Sequence, residues 1–446
     1  MSPDLPIFDV MPAIRAAMRD AGAAELVAPP GAGKTTCVAL ELLKDEWCSG
    51  QIILTSPRRV AARAAAERMA EMLGERPGET VGYRTRLDSK VSAVTRVLVV
   101  TEGILANQLV ADPELPGVCA VLFDEAHERH LDCDLGLALA LETRSVLRED
   151  LRVLIMSATI DGARFARLLG DKAPVIESEG RTFPLEIEWL GSDPSQRIED
   201  QVAAGVMRAW RDQEGDILAF LPGVSEIERT RERLQAKLPD TPILPLHGQV
   251  QPADQRAAIR RDGSGRRRIV LASAIAETSL TLDGVTSVVD SGLSRLAEYD
   301  RAAGTTHLVT RRASQAASAQ RAGRAARQAP GTAYRLWEEG GHLGRPEFAP
   351  PEIESADLTA LVLDLALWGT NDPGDLQWLD APPTASVAAA RSALEAMGAV
   401  DAEGRITPWG TAIAAMPMAP DHSACILHGA ASRCARSSER PPNPRS

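Results

Sequence analysis

Ala120-Val121-Leu122-Phe123-Asp124-Glu125-Ala126-His127 is a strand-like apolar run that ends in two adjacent carboxylates and a histidine. Upstream stands Leu26-Val27-Ala28-Pro29-Pro30-Gly31-Ala32-Gly33-Lys34-Thr35, a second apolar run that breaks into a glycine-rich turn closed by a lysine and a hydroxyl. Chemically the two belong together. The glycines of such a turn let backbone N–H groups wrap phosphates, Lys34 reaches the terminal ones, and the Thr35 hydroxyl with Asp124 suits a magnesium ion. Glu125 is then the group that orients or deprotonates an attacking water. Phosphoryl transfer asks for little beyond such positioning and charge neutralisation, so these residues imply hydrolysis of a nucleoside triphosphate.

Working outward, short apolar runs alternate with longer amphipathic stretches, the pattern of an α/β domain. Leu26 to Ala28, Ile52 to Thr55, Val97 to Thr101, Ala120 to Phe123 and Val153 to Ser157 read as strands, and Thr35 to Leu43 as the helix after the phosphate turn. Their near-continuous apolar character indicates a parallel sheet covered on both faces. A second series, Ile217 to Leu221, Ile243 to Leu246, Ile269 to Ala272 and Val285 to Val289, implies a second sheet of the same kind without a phosphate loop. From about Glu347 helical periodicity takes over, with candidates at Ser355 to Trp368 and Ala385 to Met397, and Gly398 to Thr407 carries the Asp-x-x-Gly turn of a wing.

The two opening motifs are the first members of an ordered series. It continues through Thr55-Ser56-Pro57-Arg58-Arg59-Val60-Ala61-Ala62, Thr101-Glu102-Gly103, Ser157-Ala158-Thr159, Ala276-Glu277-Thr278-Ser279-Leu280-Thr281 and Gln320-Arg321-Ala322-Gly323-Arg324-Ala325-Ala326-Arg327. This set resembles the DEAH-box branch of superfamily 2 helicases. The spelling after residue 290, including Tyr334-Arg335-Leu336-Trp337, is most similar to the bacterial HrpB-type members, and the resemblance runs from about residue 10 to about residue 430. It implies two tandem RecA-like parallel-sheet domains, at 1–177 and 178–346, followed by a mainly helical winged-helix domain at 347–417. Residues 418–446 are expected to begin a truncated helical domain and end in a disordered tail, because Ser432 to Ser446 is rich in Arg, Ser and Pro and has no apolar period.

Carried over motif by motif, the resemblance implies an ATP site of Gly31, Ala32, Gly33, Lys34, Thr35 and Thr36, with Asp283 near the ribose and Mg2+ held by Thr35 and Asp124. Alongside Asp124 and Glu125, it assigns catalytic parts to His127, which links the site to the second domain, to Gln320, which positions water, and to Arg324 and Arg327, whose planar and permanently charged guanidinium groups neutralise the transition state. Ala28 and Ala326 stand where the family usually has glycines. Arg58, Thr101, Ser273, Ser279 and Thr281 match positions that hold the sugar-phosphate backbone, contacts that carry no base sequence. RNA is favoured over DNA as the strand. The implied activity is an ATP-dependent helicase or translocase; a DNA translocase and a non-unwinding ATP-driven switch or scaffold are the alternatives.

Composition bounds this reading. The chain has 446 residues, 44% of them hydrophobic, enough for about three domains with buried cores. No run approaches the roughly 20 apolar residues of a membrane span, and the N-terminus lacks the basic start of a secretion signal, so a cytoplasmic location is expected. The six cysteines form no C-x-x-C pair, which favours reduced thiols. His127, His130 and Cys133 lie close in sequence, but as parts of the acidic motif and the next helix they are read as structural rather than metal-binding. The net charge of −12 hides an asymmetry: residues 251–335 hold 14 Arg against 7 acidic residues, and because salt screens beyond about 8–10 Å it is this local excess that a phosphate strand would feel. Arg266 to Arg268 is the sharpest basic cluster, read as a solvated loop at least as readily as a contact.

Overall fold

The computed structural model describes residues 5–29, 31–158, 162–180, 183–277, 282–301 and 303–438. The first sheet is built from β1 (Ala23–Val27), β2 (Gln51–Ser56), β3 (Val81–Thr85), β4 (Asp88–Lys90), β5 (Val97–Thr101), β6 (Val118–Phe123), β7 (Arg152–Ser157) and β8 (Val175–Glu177), in the spatial order β4-β3-β5-β2-β6-β7-β1-β8. Every pairing is parallel except that of the short β4. β1 and β6 are buried along their whole length, which is why their sequences read as unbroken apolar runs rather than alternating ones.

The second sheet takes β9 (Leu185–Trp189), β10 (Asp216–Phe220), β11 (Ile243–Leu246), β12 (Ile269–Ala272), β13 (Val285–Asp290) and β16 (Gly331–Arg335), in the order β11-β12-β10-β13-β16-β9, all parallel. Between β13 and β16 the chain makes an antiparallel hairpin, β14 (Leu293–Asp300) and β15 (Thr305–Arg312), which the sequence reading does not contain. Its residues are mostly exposed, so it carries none of the apolar signal that marks the sheet strands.

The two sheets and the helical region are knit together. One face of the first sheet shares a core with the C-terminal helices: Phe123, Leu105 and Leu137 pack in one cluster with Ile353, Leu361, Leu394 and Ile413. Val60 and Ala61, from the helix Arg59–Leu73, instead pack into the core of the second sheet with Phe220, Leu246 and Ala322. The helices Thr359–Trp368 and Thr384–Ala396 fall where periodicity places them, and a single antiparallel bridge, Val400 to Ile406, closes the turn at Asp401–Gly404. The helix Pro420–Ser438 carries its backbone into the segment expected to lack structure. Ala, Ser and Arg tolerate helix, and the first residue that forbids it, Pro441, comes later. Residues 439–446 lie outside the described residues.

The basic cluster divides three ways. Arg268 is 1% exposed and donates to Asp216 at 2.8 Å, while Arg267 lies over the Trp210 ring at 4.0 Å. Only Arg266 is a solvated charge, paired with Asp262, so the solvated-loop expectation holds for one residue of the three. A buried charge needs a partner, and that partner is 52 residues away in sequence.

Candidate active site

β1, β6 and β7 are near neighbours in the first sheet, so the turns that leave their C-terminal ends converge. The turn after β1 leads into the helix Lys34–Leu42, which starts at Gly33 in the left-handed region (φ 99°). A Cβ there would stand 3.1 Å from both Ile7 and Leu5, a tight fit added to a conformation that favours glycine. Gly31 has φ 93° but open space around it. The first N–H groups of that helix have no intrahelical partner, and the helix dipole favours an anion there.

Lys34 is 3% exposed and its Nζ lies 3.0 Å from Glu125 Oε2. The Thr35 hydroxyl donates to Asp124 Oδ2 at 2.6 Å, and Glu125 N–H donates to Asp124 Oδ1 at 3.1 Å. Burial, and then the neighbouring Glu125, push the Asp124 carboxyl up. Burial acts on Glu125 in the same sense, but Lys34 and His127 outweigh it and hold its carboxyl below the usual range. Asp124 and Thr35 present oxygen donors side by side, a set that suits a hard divalent cation. Glu125 also takes the left-handed backbone, φ 55°, a conformation costly for a residue with a side chain and concentrated at functional sites.

His127 joins the two sheets. Ala158 N–H, just past β7, donates to its Nδ1 at 3.2 Å, and the carboxamide of Gln320, on the helix Gln315–Gly323 of the second domain, lies 2.8 Å from its Nε2. Burial lowers the His127 pKa, which favours the neutral ring between these two partners. Arg324 is 3% exposed and donates to Glu277 O at 2.9 Å. Burial, then repulsion from Arg327, depresses its pKa, and burial brings Arg327 down to about 10 against the attraction of Glu125. Gln320, Arg324 and Arg327 thus gather within electrostatic reach of Glu125.

The remaining expected residues are more dispersed. Thr36 is the second residue after Lys34 on the phosphate-turn helix. Asp283 is exposed and accepts from Gln328 at 3.2 Å. Arg58 and Thr101 follow or end β2 and β5, which flank each other with Ser56 opposite Thr101. Arg58 donates to Glu128 at 3.0 Å. Ser273 follows β12 and lines a cavity of about 410 Å³ with His247, Gln249, Arg295, Leu308 and Arg321. Ser279 and Thr281 lie outside the described residues.

Two groups hold parts that the sequence reading did not give them, Arg321 within the last motif and His130 just past the acidic one. Arg321, beside Gln320, is fully enclosed: it pairs with Asp290 at 2.7 Å and Glu277 at 2.5 Å, and donates to Leu293 O and the Ser294 hydroxyl at the root of the hairpin. His130 bridges Glu102 (3.1 Å) and Glu128 (3.4 Å), and these carboxylates outweigh its burial to push its pKa up to about 9.

Residues 10–168 match the DEAD/DEAH box helicase model, and residues 199–329 match the helicase conserved C-terminal domain. The chain belongs to the DEAH-box helicases. It is 43% identical over 424 residues to the ATP-dependent RNA helicase HrpB of Escherichia coli, across 95% of this chain and 52% of that protein. It is 33% identical over 435 residues to the pre-mRNA-splicing factor ATP-dependent RNA helicase prp22 of Schizosaccharomyces pombe, across 95% of this chain and 37% of that one. A crystal structure of the E. coli DEAH/RHA helicase HrpB superposes with a TM-score of 0.90 at 44% identity, covering 94% of this chain and 54% of that one. Both sheets are therefore RecA-like, and the chain spans about half the length of HrpB and little more than a third of prp22. The two alanines in place of helicase glycines fit without strain. Ala28 is fully buried, neither alanine takes a left-handed φ, and Ala28 N–H extends the ladder to Ser157 O at 2.9 Å. Among the described residues no helix is long and apolar enough to cross a membrane.

Proposed function

We propose that the protein is an ATP-dependent RNA helicase or translocase, with domains at 1–177, 178–346, 347–417 and 418–446, acting in the cytoplasm. The observation that carries the reading is the contact between Gln320 and His127, which ties the helix leading into Arg324 and Arg327 to the carboxylates on the other sheet.

In this reading ATP lies against the Gly31–Thr36 turn, and Lys34 leaves Glu125 for the terminal phosphates. Bound Mg2+, held by Thr35 and Asp124, would polarise the phosphate oxygens and offset their charge. Glu125, freed from Lys34 and already ionised, orients and deprotonates the attacking water. Gln320 fixes that water from the second domain. Arg324 and Arg327 neutralise charge developing on the transferred group, as planar guanidinium groups are suited to do. Asp283 reaches toward the ribose. Arg58, Thr101, Ser273, Ser279 and Thr281 hold the strand backbone, so the choice of RNA over DNA falls to 2′-hydroxyl contacts.

The test compares steady-state ATP hydrolysis with single-stranded RNA, single-stranded DNA and no nucleic acid, alongside duplex unwinding. Stimulation by RNA with unwinding is the expected result. Equal stimulation by DNA would favour a DNA translocase, strand-stimulated hydrolysis without unwinding an ATP-driven switch, and no hydrolysis at all would sink the reading.

A further inference from the structure

At the end of the first sheet away from the carboxylates, β6 begins Val118-Cys119, and Cys119 faces Cys48 from the loop after the phosphate-turn helix. Their Sγ atoms are 3.4 Å apart although the residues are separated by 71 positions. Backbone contacts hold the two segments together: Gln51 N–H donates to Gly117 O at 2.8 Å, and a Cβ on Gly50 would stand 2.3 Å from that same oxygen. Arg96 closes over the loop, donating to Cys48 O at 2.6 Å and Gly50 O at 2.9 Å. The thiols are 4% and 7% exposed, just beneath the exposed Ser49 and Gly117.

We propose that Cys48 and Cys119 form a reversible dithiol–disulfide site, oxidised by a small peroxide. It stands apart from the nucleotide chemistry at the opposite end of the sheet. A disulfide needs the sulfurs at about 2.05 Å, a closure of little more than an ångström that side-chain rotation with a small loop shift supplies. Cys119 is the nucleophile. The hydrogen bond from Cys48, backed by Gly50 and Arg96, outweighs burial and holds its thiol below the ordinary range, and the thiolate is the reactive form. Its sulfur attacks one peroxide oxygen, the S–O bond forms, the O–O bond breaks, and the departing hydroxide takes a proton to become water. Cys48 sulfur then attacks the sulfenic sulfur. The S–S bond forms, the S–O bond breaks, and the hydroxide leaves with the Cys48 proton as a second water. Two electrons pass from the thiols to one peroxide.

The experiment treats the whole chain with a few equivalents of hydrogen peroxide, denatures it in N-ethylmaleimide and maps its peptides without reduction. The expected product is a joined Cys48–Cys119 peptide lighter by two hydrogens, abolished by dithiothreitol, while Cys37 and Cys133 stay alkylated. The oxidised protein should also melt at a higher temperature and return on reduction, since the crosslink closes a long loop in the unfolded chain; Cys119→Ser should remove this shift. Recovery of both cysteines alkylated, or as sulfinic acids, at a dose that oxidises the exposed Cys425 would overturn the proposal. The mapping on the unaltered chain decides even if the variant does not fold.

Discussion

Glu125 occupies three roles at once: partner of Lys34, neighbour of Asp124 and backbone of a left-handed turn. Replacing it with glutamine keeps the size and the turn but removes the base. Glu125→Gln should reduce hydrolysis by roughly 10²–10⁴-fold, the usual worth of a positioned general base, with ATP binding retained; Lys34→Ala should weaken both. Turnover assays beside nucleotide titration read the difference, and normal turnover by the Glu125 variant would refute its assignment. His130 offers a pH signature. Its folded pKa, about 9, lies above the unfolded value near 6.5, so the native state holds an extra proton between the two. The resulting stability is fully present below that window and is lost as pH rises through it. The groups facing it are Glu102, Glu128 and Glu352. Urea unfolding of His130→Gln against the native chain should show a stability gap at about pH 6 that shrinks by about pH 9.5; a gap that is constant with pH would mean His130 is held by packing alone.

At the scale of elements, the hairpin shows what sequence could and could not reveal. Leu293–Asp300 is half-buried and Thr305–Arg312 is exposed, with Leu308 72% exposed, so no continuous apolar run marks them. Their position is fixed by arginines from elsewhere: Arg345 donates to Gly292 O and Ala313 O at the two ends, and Arg321 holds Leu293 and Ser294. Strands such as Val97–Thr101 and Ile269–Ala272 were legible to the residue because burial on both faces demands unbroken apolar runs. The buried pair Arg268–Asp216 was not legible, because a charge run gives no hint of a distant partner. In the candidate site, motif order named residues that the fold brings together, Lys34, Thr35, Asp124, Glu125, His127 and Gln320, whereas the clamps Arg321, Glu277 and Glu128 emerged only from three-dimensional partners. Arg321→Gln should cost about 3–5 kcal/mol, as breaking a buried ion pair leaves Asp290 and Glu277 uncompensated. Denaturant titration measures it, and a loss well under this range would show that the two acids find other partners.

Across the whole molecule, two kinds of seam separate the parts. Between the sheets, among the described residues, Gln320 meets His127 and Arg63 donates to Gln255 at 3.0 Å, beside the Val60–Ala61 patch in the second sheet's core. Arg324→Ala and Arg327→Ala should therefore slow hydrolysis far more than they weaken ATP affinity, because fingers supplied across such a seam act on transition-state charge. Equal loss of both would identify a ground-state phosphate clamp. Between the first sheet and the helical region the seam is a shared apolar core fastened by Asp380, which receives Arg129 and Arg164 at 2.6 Å each. Asp380→Ala should cost roughly 1–3 kcal/mol, the scale of hydrogen bonds to charged groups, in urea unfolding; no change would leave the core contacts alone as the fastening.

That shared core has a consequence for synthesis. Ile353, Leu361 and Leu394, which cover the face of the first sheet around Phe123 and Leu137, leave the ribosome only after the whole second sheet. At translation speeds of about 5–20 residues per second the first domain waits on the order of 10–40 s with that face bare. Ribosome-stalled chains ending before Glu352 should therefore be cut by protease within the first domain, and chains long enough to release Leu394 should resist.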